Sequence, residues 1–213
     1  MMISFTAFSS LMRRAYVTVL LSLVAIVPAH ATNVLLLGDS LSASYGMQAS
    51  KGWAHLAELE LQKTYPDLKL LNFSASGETT GGGKARLSRL LEKNKVDVLW
   101  IELGGNDGLR GYPINTIRNN LSAMVKMGKD KGIKVIVTQI QIPPSMGKRY
   151  TSMFTGLYPK LAEQEKVTLM PFFIESVATN PKLMQNDLIH PNEKAQPIIA
   201  KEVVAYFKDY LSK

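Results

Sequence analysis

Five apolar, β-rich runs recur along the chain: Val34–Leu37, Leu68–Phe73, Val96–Leu103, Ile133–Ile140 and Val167–Phe172. They read more as continuous apolar runs than as strict alternations, the pattern of strands covered on both faces. Helical patterns lie between them, over Trp53–Thr64, Lys84–Lys93, Ile114–Lys129 and Thr151–Glu165. A final helix is predicted over Ala195–Tyr210, where Ile198, Ile199, Val203, Tyr206 and Phe207 fall at helical spacing. Strands alternating with helices predict an α/β fold, a three-layer α/β/α sandwich around a mostly parallel sheet of about five strands. In open sheets of this kind, ligands bind at the carboxyl ends of the strands. The residues that follow each apolar run are therefore the ones to inspect.

Small and polar groups collect there. The first run ends on Gly38-Asp39-Ser40, the second on Ser74-Ala75-Ser76-Gly77-Glu78, and the third on Gly104-Gly105-Asn106-Asp107-Gly108. Gln139 to Pro144 follow the fourth, and Asp187-Leu188-Ile189-His190-Pro191-Asn192 precedes the last helix. Each has a plain structural reading. Ser40 suits a helix cap, Gly77 a turn, and Asn106-Asp107-Gly108 a loop. Asp187 suits a turn and His190 the surface. Together they supply an alcohol, a glycine backbone, an amide and an Asp/His pair.

The segment before the first strand is of another kind. Arg13 and Arg14 precede an apolar run, Ala15 to Val27, which ends on Pro28-Ala29-His30-Ala31. This is the layout of a secretory signal peptide cut after Ala31, and the apolar run is short for a bilayer span. Residues 1–31 are thus read as a signal and 32–213 as one domain, periplasmic or secreted and without a stable membrane anchor after cleavage. The whole chain carries 25 basic and 17 acidic residues, a net charge of +8; without Arg13 and Arg14 it is +6. The basic residues are scattered through the predicted helices, which excludes the clustered stripe of a nucleic-acid-binding surface. There is no cysteine, so thiol nucleophiles and thiolate metal sites are excluded. No His/Asp/Glu set has zinc spacing, and no cofactor is called for. Gly81-Gly82-Gly83-Lys84 fails as a phosphate loop, because Glu78 stands where the first glycine belongs and Ala85 follows the lysine.

Serine hydrolysis requires a base to take the hydroxyl proton, a carboxylate to orient that base, and donors for the developing oxyanion. Once the signal is removed, two histidines are left, His55 and His190. His55 falls within a predicted helix and is read as structural or exposed. Asp187 stands three residues before His190, a spacing that lets one turn present both side chains. The G-x-S-x-G elbow of plain lipases is absent, because Ser42 takes the place of its second glycine.

In order, Gly38-Asp39-Ser40-Leu41-Ser42, the glycine of Ser74-Ala75-Ser76-Gly77-Glu78-Thr79-Thr80, Gly104-Gly105-Asn106-Asp107 and Asp187-Leu188-Ile189-His190 resemble the four blocks of the SGNH (GDSL) hydrolase family. The resemblance covers essentially all of 32–213. Through Leu103–Gly111 and His190-Pro191-Asn192 it points to a branch of multifunctional arylesterases, acyl-CoA thioesterases and lysophospholipases. It implies Ser40 as nucleophile, His190 as base and Asp187 as its orienting partner. It also implies an oxyanion hole made of the Ser40 and Gly77 backbone N–H groups and the Asn106 amide. The implied substrates are small acyl esters or thioesters. Alternatives on the same fold are a carbohydrate acetyl-ester deacetylase and a non-catalytic secreted binding module. Two apolar loops, Leu109 to Pro113 and Ile142 to Phe154, are expected to form an acyl groove through Leu109, Tyr112, Met146, Tyr150 and Phe154. The sequence leaves oligomeric state open.

Overall fold

The computed structural model describes residues 32–212, so the proposed signal segment and its cleavage junction fall outside the described residues. Five strands, β1 (Asn33–Gly38), β2 (Lys69–Asn72), β3 (Val98–Glu102), β4 (Lys134–Thr138) and β5 (Thr168–Met170), form one sheet in the order β2-β1-β3-β4-β5. Every pairing is parallel, with Leu36 opposite Trp100 on one side of β1 and opposite Asn72 on the other.

The pleat divides the apolar runs between two cores. Val34, Leu36, Val98 and Trp100 face one layer, packed with Trp53 and Leu61 of α1 (Trp53–Gln62) and with Val203 and Phe207 of α8 (Gln196–Leu211). Leu35, Leu37, Leu99 and Ile101 face the other. There they meet Leu87 of α2 (Thr80–Lys93), Leu121 and Met124 of α4 (Ile114–Lys129) and Leu161 of α6 (Leu157–Glu165). Leu36 and Leu37 are fully buried on opposite faces, and truncating either to alanine costs about 2–5 kcal/mol.

Three local features depart from the sequence expectation. The second helix starts at Thr80, not Lys84, and takes in Gly81–Gly83. Glycine opposes helix by about 1 kcal/mol per residue, but tertiary contacts override it. The Thr79 hydroxyl accepts from the Gly82 N–H, and a Cβ on Gly83 would lie 2.4 Å from Leu103 Cδ1, so only glycine lets this helix sit against β3. The segment after β3 is a short helix, α3 (Gly105–Leu109), instead of a loop. The helix expected over Thr151–Glu165 is two, α5 (Lys148–Thr155) and α6, parted at Gly156. A four-residue helix, α7 (Glu175–Ala178), follows β5. No helix among the described residues is long and apolar enough to cross a membrane.

Candidate active site

β1 is rigid because both of its faces are buried, and it delivers Ser40 just past its last residue. Gly38 lets the strand end approach its neighbours closely: a Cβ there would lie 2.6 Å from Glu102 Oε2 and 2.7 Å from Ser74 Oγ. The Ser40 hydroxyl is 2.8 Å from His190 Nε2, and His190 Nδ1 is 2.7 Å from Asp187 Oδ2. With Nδ1–H donating to the carboxylate, Nε2 is left to accept from the serine. The Asp187 Oδ1 atom accepts from the backbone N–H groups of Ile189 (2.9 Å) and His190 (3.0 Å), so the carboxylate is fixed by its own turn. Burial pushes the Asp187 carboxyl up, but these two N–H groups and the imidazole outweigh it and bring it down to about 2. It is therefore ionised opposite the ring at any moderate pH.

Across the cleft, Asn106 sits on α3, where one N–H of its amide donates to Asp39 Oδ2 at 3.3 Å. The Leu41 N–H donates to the other oxygen of Asp39 at 3.0 Å. Gly77 adopts φ +77°, a left-handed conformation natural to glycine. Among the described residues, neither the Ser40 nor the Gly77 N–H meets a hydrogen-bond acceptor. The Gly77 loop and α3 are clamped together: the Thr80 N–H donates to Asp107 Oδ2 (2.8 Å), the Thr80 hydroxyl to Asp107 Oδ1 (2.6 Å), and the Arg110 guanidinium to the Gly77 carbonyl (3.3 Å). Asn120 adds a bond to the Thr80 hydroxyl and in turn accepts from Lys84.

Beneath this wall lie two buried acids. Glu102, at the end of β3, accepts from the Ser42 hydroxyl at 2.6 Å and from the Asp39 N–H at 3.3 Å through the same oxygen, while its other oxygen has no partner among the described residues. Burial, with Asp39 beside it, holds the Glu102 carboxyl well above the ordinary range. Burial also lifts Asp39 to about 6, against the pull of its bonds from Leu41 and Asn106. The sequence reading missed Glu102. Its signal was a lone charge inside the apolar run Val98-Leu99-Trp100-Ile101-Glu102-Leu103.

A cleft of about 520 Å³ opens over Ser40 and His190. Of the residues expected to line it, Leu109 does. Phe154 is fully buried, stacked edge-on with Tyr158 in the core. Met146 and Tyr150 pack on that same core, and the Tyr150 hydroxyl donates to the carbonyl of Tyr112, which faces solvent. The apolar walls come instead from Ile140, Ile142 and Pro143 after β4 and from Phe172 and Ile174 after β5. An apolar side chain in a loop fits a core as well as a groove, and here α5 turns that loop inward. Tyr45, Leu188 and Ile189 line the mouth and were also missed. His55 is half-buried on α1, outside the cleft. Among the described residues, no group of three or more acidic or histidine side chains is placed to hold a metal ion.

A parallel sheet with this constellation on its carboxyl edge defines a serine hydrolase acting on acyl esters. The chain belongs to the GDSL-like lipase/acylhydrolase family, whose sequence model matches residues 36–197. It is 50% identical to an arylesterase of Vibrio mimicus over 170 residues, 80% of this chain and 85% of that protein. It is 42% identical to the thioesterase 1/protease 1/lysophospholipase L1 of Escherichia coli (strain K12) over 172 residues, 81% of each. Among solved structures, the psychrotrophic esterase EstA from Pseudoalteromonas sp., inhibited by monoethylphosphonate, superposes with a TM-score of 0.83 at 42% identity. That match covers 85% of this chain and 100% of the other.

Proposed function

We propose that the protein hydrolyses carboxylic esters and acyl thioesters through an acyl-enzyme on Ser40. The observation that carries this reading is the unbroken line from the Ser40 hydroxyl through His190 to Asp187, at 2.8 and 2.7 Å, on the floor of an apolar cleft. Ser40 Oγ attacks the acyl carbon as His190 Nε2 takes its proton. Negative charge gathers on the carbonyl oxygen, facing the Ser40 and Gly77 N–H groups and the free N–H of the Asn106 amide. The bond to the departing oxygen or sulfur then breaks, and that atom takes the proton from His190. Water, deprotonated by the same ring, attacks the acyl-serine and releases the acid. Asp187, ionised throughout, holds the ring in one tautomer and stabilises the imidazolium. The apolar walls favour acyl chains over the polyhydroxylated surroundings of a carbohydrate acetate.

We further place the working protein outside the cytoplasm, after cleavage between Ala31 and Thr32. The Arg13-Arg14 pair, the short apolar run and Ala29-His30-Ala31 support this. N-terminal sequencing of the exported protein should read from Thr32, and a mature chain retaining Arg13 and Arg14 would refute it. For the chemistry, Ser40→Ala should lose roughly 10⁶-fold in kcat while remaining folded, and an organophosphonate should label Ser40. An alanine variant as active as the parent would end this reading.

A further inference from the structure

Leu188 is in the wrong conformation for a leucine. Its φ is +57°, in the left-handed region, where a side chain crowds its own carbonyl and glycine or asparagine is preferred. The turn needs the conformation, since the Leu188 N–H closes it onto the Gln185 carbonyl at 3.0 Å. It does not need the leucine. The side chain is 63% exposed and contributes nothing to either core. Strain and an apolar group in water are both unfavourable, and neither is offset by packing in the folded protein.

Its surroundings supply a reason. Among the described residues seven large hydrophobic side chains are exposed, and three of them, Tyr45, Leu188 and Ile189, line the mouth of this one cleft. The ring of Tyr45 lies 4.3 Å from that of His190, centre to centre. Gln185 ties Tyr45 to the turn that carries Leu188 and Ile189: its side-chain amide donates to the Tyr45 carbonyl at 2.9 Å and its backbone N–H to the His190 carbonyl at 2.7 Å. The acyl walls, Ile140, Ile142 and Phe172, come from the segments that follow β4 and β5.

The reaction fixes what this rim meets. His190 Nε2 hands its proton to the departing atom, so that atom lies within hydrogen-bond reach of the ring. The group attached to it must then extend over the side chains that surround His190. We infer that Tyr45, Leu188 and Ile189 form a leaving-group platform, and that Leu188 selects esters and thioesters whose departing alcohol or thiol is broad and apolar. The inference rests on the assignment of Ser40 and His190 made above.

The test holds the acyl group constant and varies the leaving group. The kcat/KM for 1-naphthyl acetate and for methyl acetate is measured in Leu188→Gly, Leu188→Asn and Tyr45→Ala, each relative to the parent so that intrinsic ester reactivity cancels. A single apolar contact discriminates by roughly 10–200-fold; Leu188 is partly in water, so the low end is expected, a loss about tenfold greater on the naphthyl ester. The melting temperature of Leu188→Asn should equal or exceed that of the parent, because asparagine accepts the left-handed backbone. Equal losses on both esters, no loss on either, or a lower melting temperature would overturn the platform. So would losses seen only on micellar substrate together with reduced sedimentation on phosphatidylcholine vesicles, which would assign the rim to a lipid surface. Organophosphonate labelling of Ser40 in each variant separates the two failures. Labelling with an unmoved ester ratio removes the platform alone, whereas an unlabelled, fully active Ser40→Ala protein removes the chemistry beneath it.

Discussion

The two walls of the cleft are built in opposite ways. The wall proposed to face the forming anion hangs on buried bonds between distant parts of the chain. Thr80 meets Asp107 across 27 residues, Ser42 meets Glu102 across 60, and Asn106 meets Asp39 across 67. Asp39, Ser42, Thr80, Glu102 and Asp107 are each at most 2% exposed. The wall proposed to move protons is a surface loop, in which Asp187 binds partners two and three residues away. Donors for a transient charge must hold their places before it appears, because reorganising them during the reaction would consume the stabilisation they give. A base needs only a fixed tautomer and direction, which one turn supplies.

The largest effect that sharpens this contrast is on Asn106. Asn106→Ala should lower kcat by about 10²–10³ with little change in KM. Phosphonate labelling of Ser40 should slow yet go to completion. A normal kcat with a large loss of melting temperature would make Asn106 a part of α3 only.

Next is the clamp behind it. Thr80→Val keeps the shape and deletes the hydroxyl, leaving Asp107 Oδ1 and the Asn120 amide short of a partner. Each orphaned buried group costs about 1–3 kcal/mol, and in a domain of this size each 1 kcal/mol lowers Tm by about 2–4 °C. kcat should fall as well, and that loss should vanish when measured in the Asn106→Ala background. Additive losses would show that the clamp does not act through the amide.

The walls should also respond to acid with opposite sign. Burial lifts Asp39 to about 6, above the ~3.9 of an unfolded aspartate. Its contribution to stability is therefore complete below ~3.9 and lost as pH rises through its folded value. Glu102, raised by the same burial, acts in the same direction. Asp187, held at about 2, contributes fully above ~3.9 and loses its contribution as pH falls through its folded value. Urea midpoints across the acid range should show Asp39→Asn flattening the loss of stability between about pH 4 and 6, and Asp187→Asn flattening the loss below about pH 4. Two difference curves of the same sign would break the comparison.

The smallest effect lies outside both walls. Tyr150→Phe removes the bond to the Tyr112 carbonyl, worth about 1 kcal/mol at most in this exposed place. It should leave the ratio of long-chain to acetyl-ester rates unchanged, whereas Ile142→Ala should lower that ratio.

What could be read in advance follows the same division. The Asp187–His190 pair and the apolar runs of the five strands are local patterns, visible to spacing and periodicity. The start of α2 at Thr80 was hidden because three glycines oppose a helix, and Asp107, Asn120 and Leu103, all distant in sequence, help to hold it there. α3 was hidden for the same reason. The groove was misplaced onto Tyr112, Met146, Tyr150 and Phe154 because apolarity does not distinguish a core from a cleft; direction does, and direction is set by α5 and α6. The strand-end rule pointed to Gln139–Pro144, and the true wall at Ile140, Ile142 and Pro143 lies there.

Ser40 and His190, the proposed nucleophile and base, stand 150 residues apart in the chain, so they are synthesised at different times. Ser40 is translated early, just past β1, and β3, which pairs with β1, lies far downstream. His190 follows near the end, and its loop leads into α8, whose Gln196 accepts from the Trp53 N–H at 2.9 Å and whose Val203 and Phe207 close the core around Trp100. On the proposed mechanism, a nascent chain that stops before residue 190 has the alcohol and lacks its base. Ester turnover by that mechanism therefore requires a chain made almost to its end, through the turn that leads into α8.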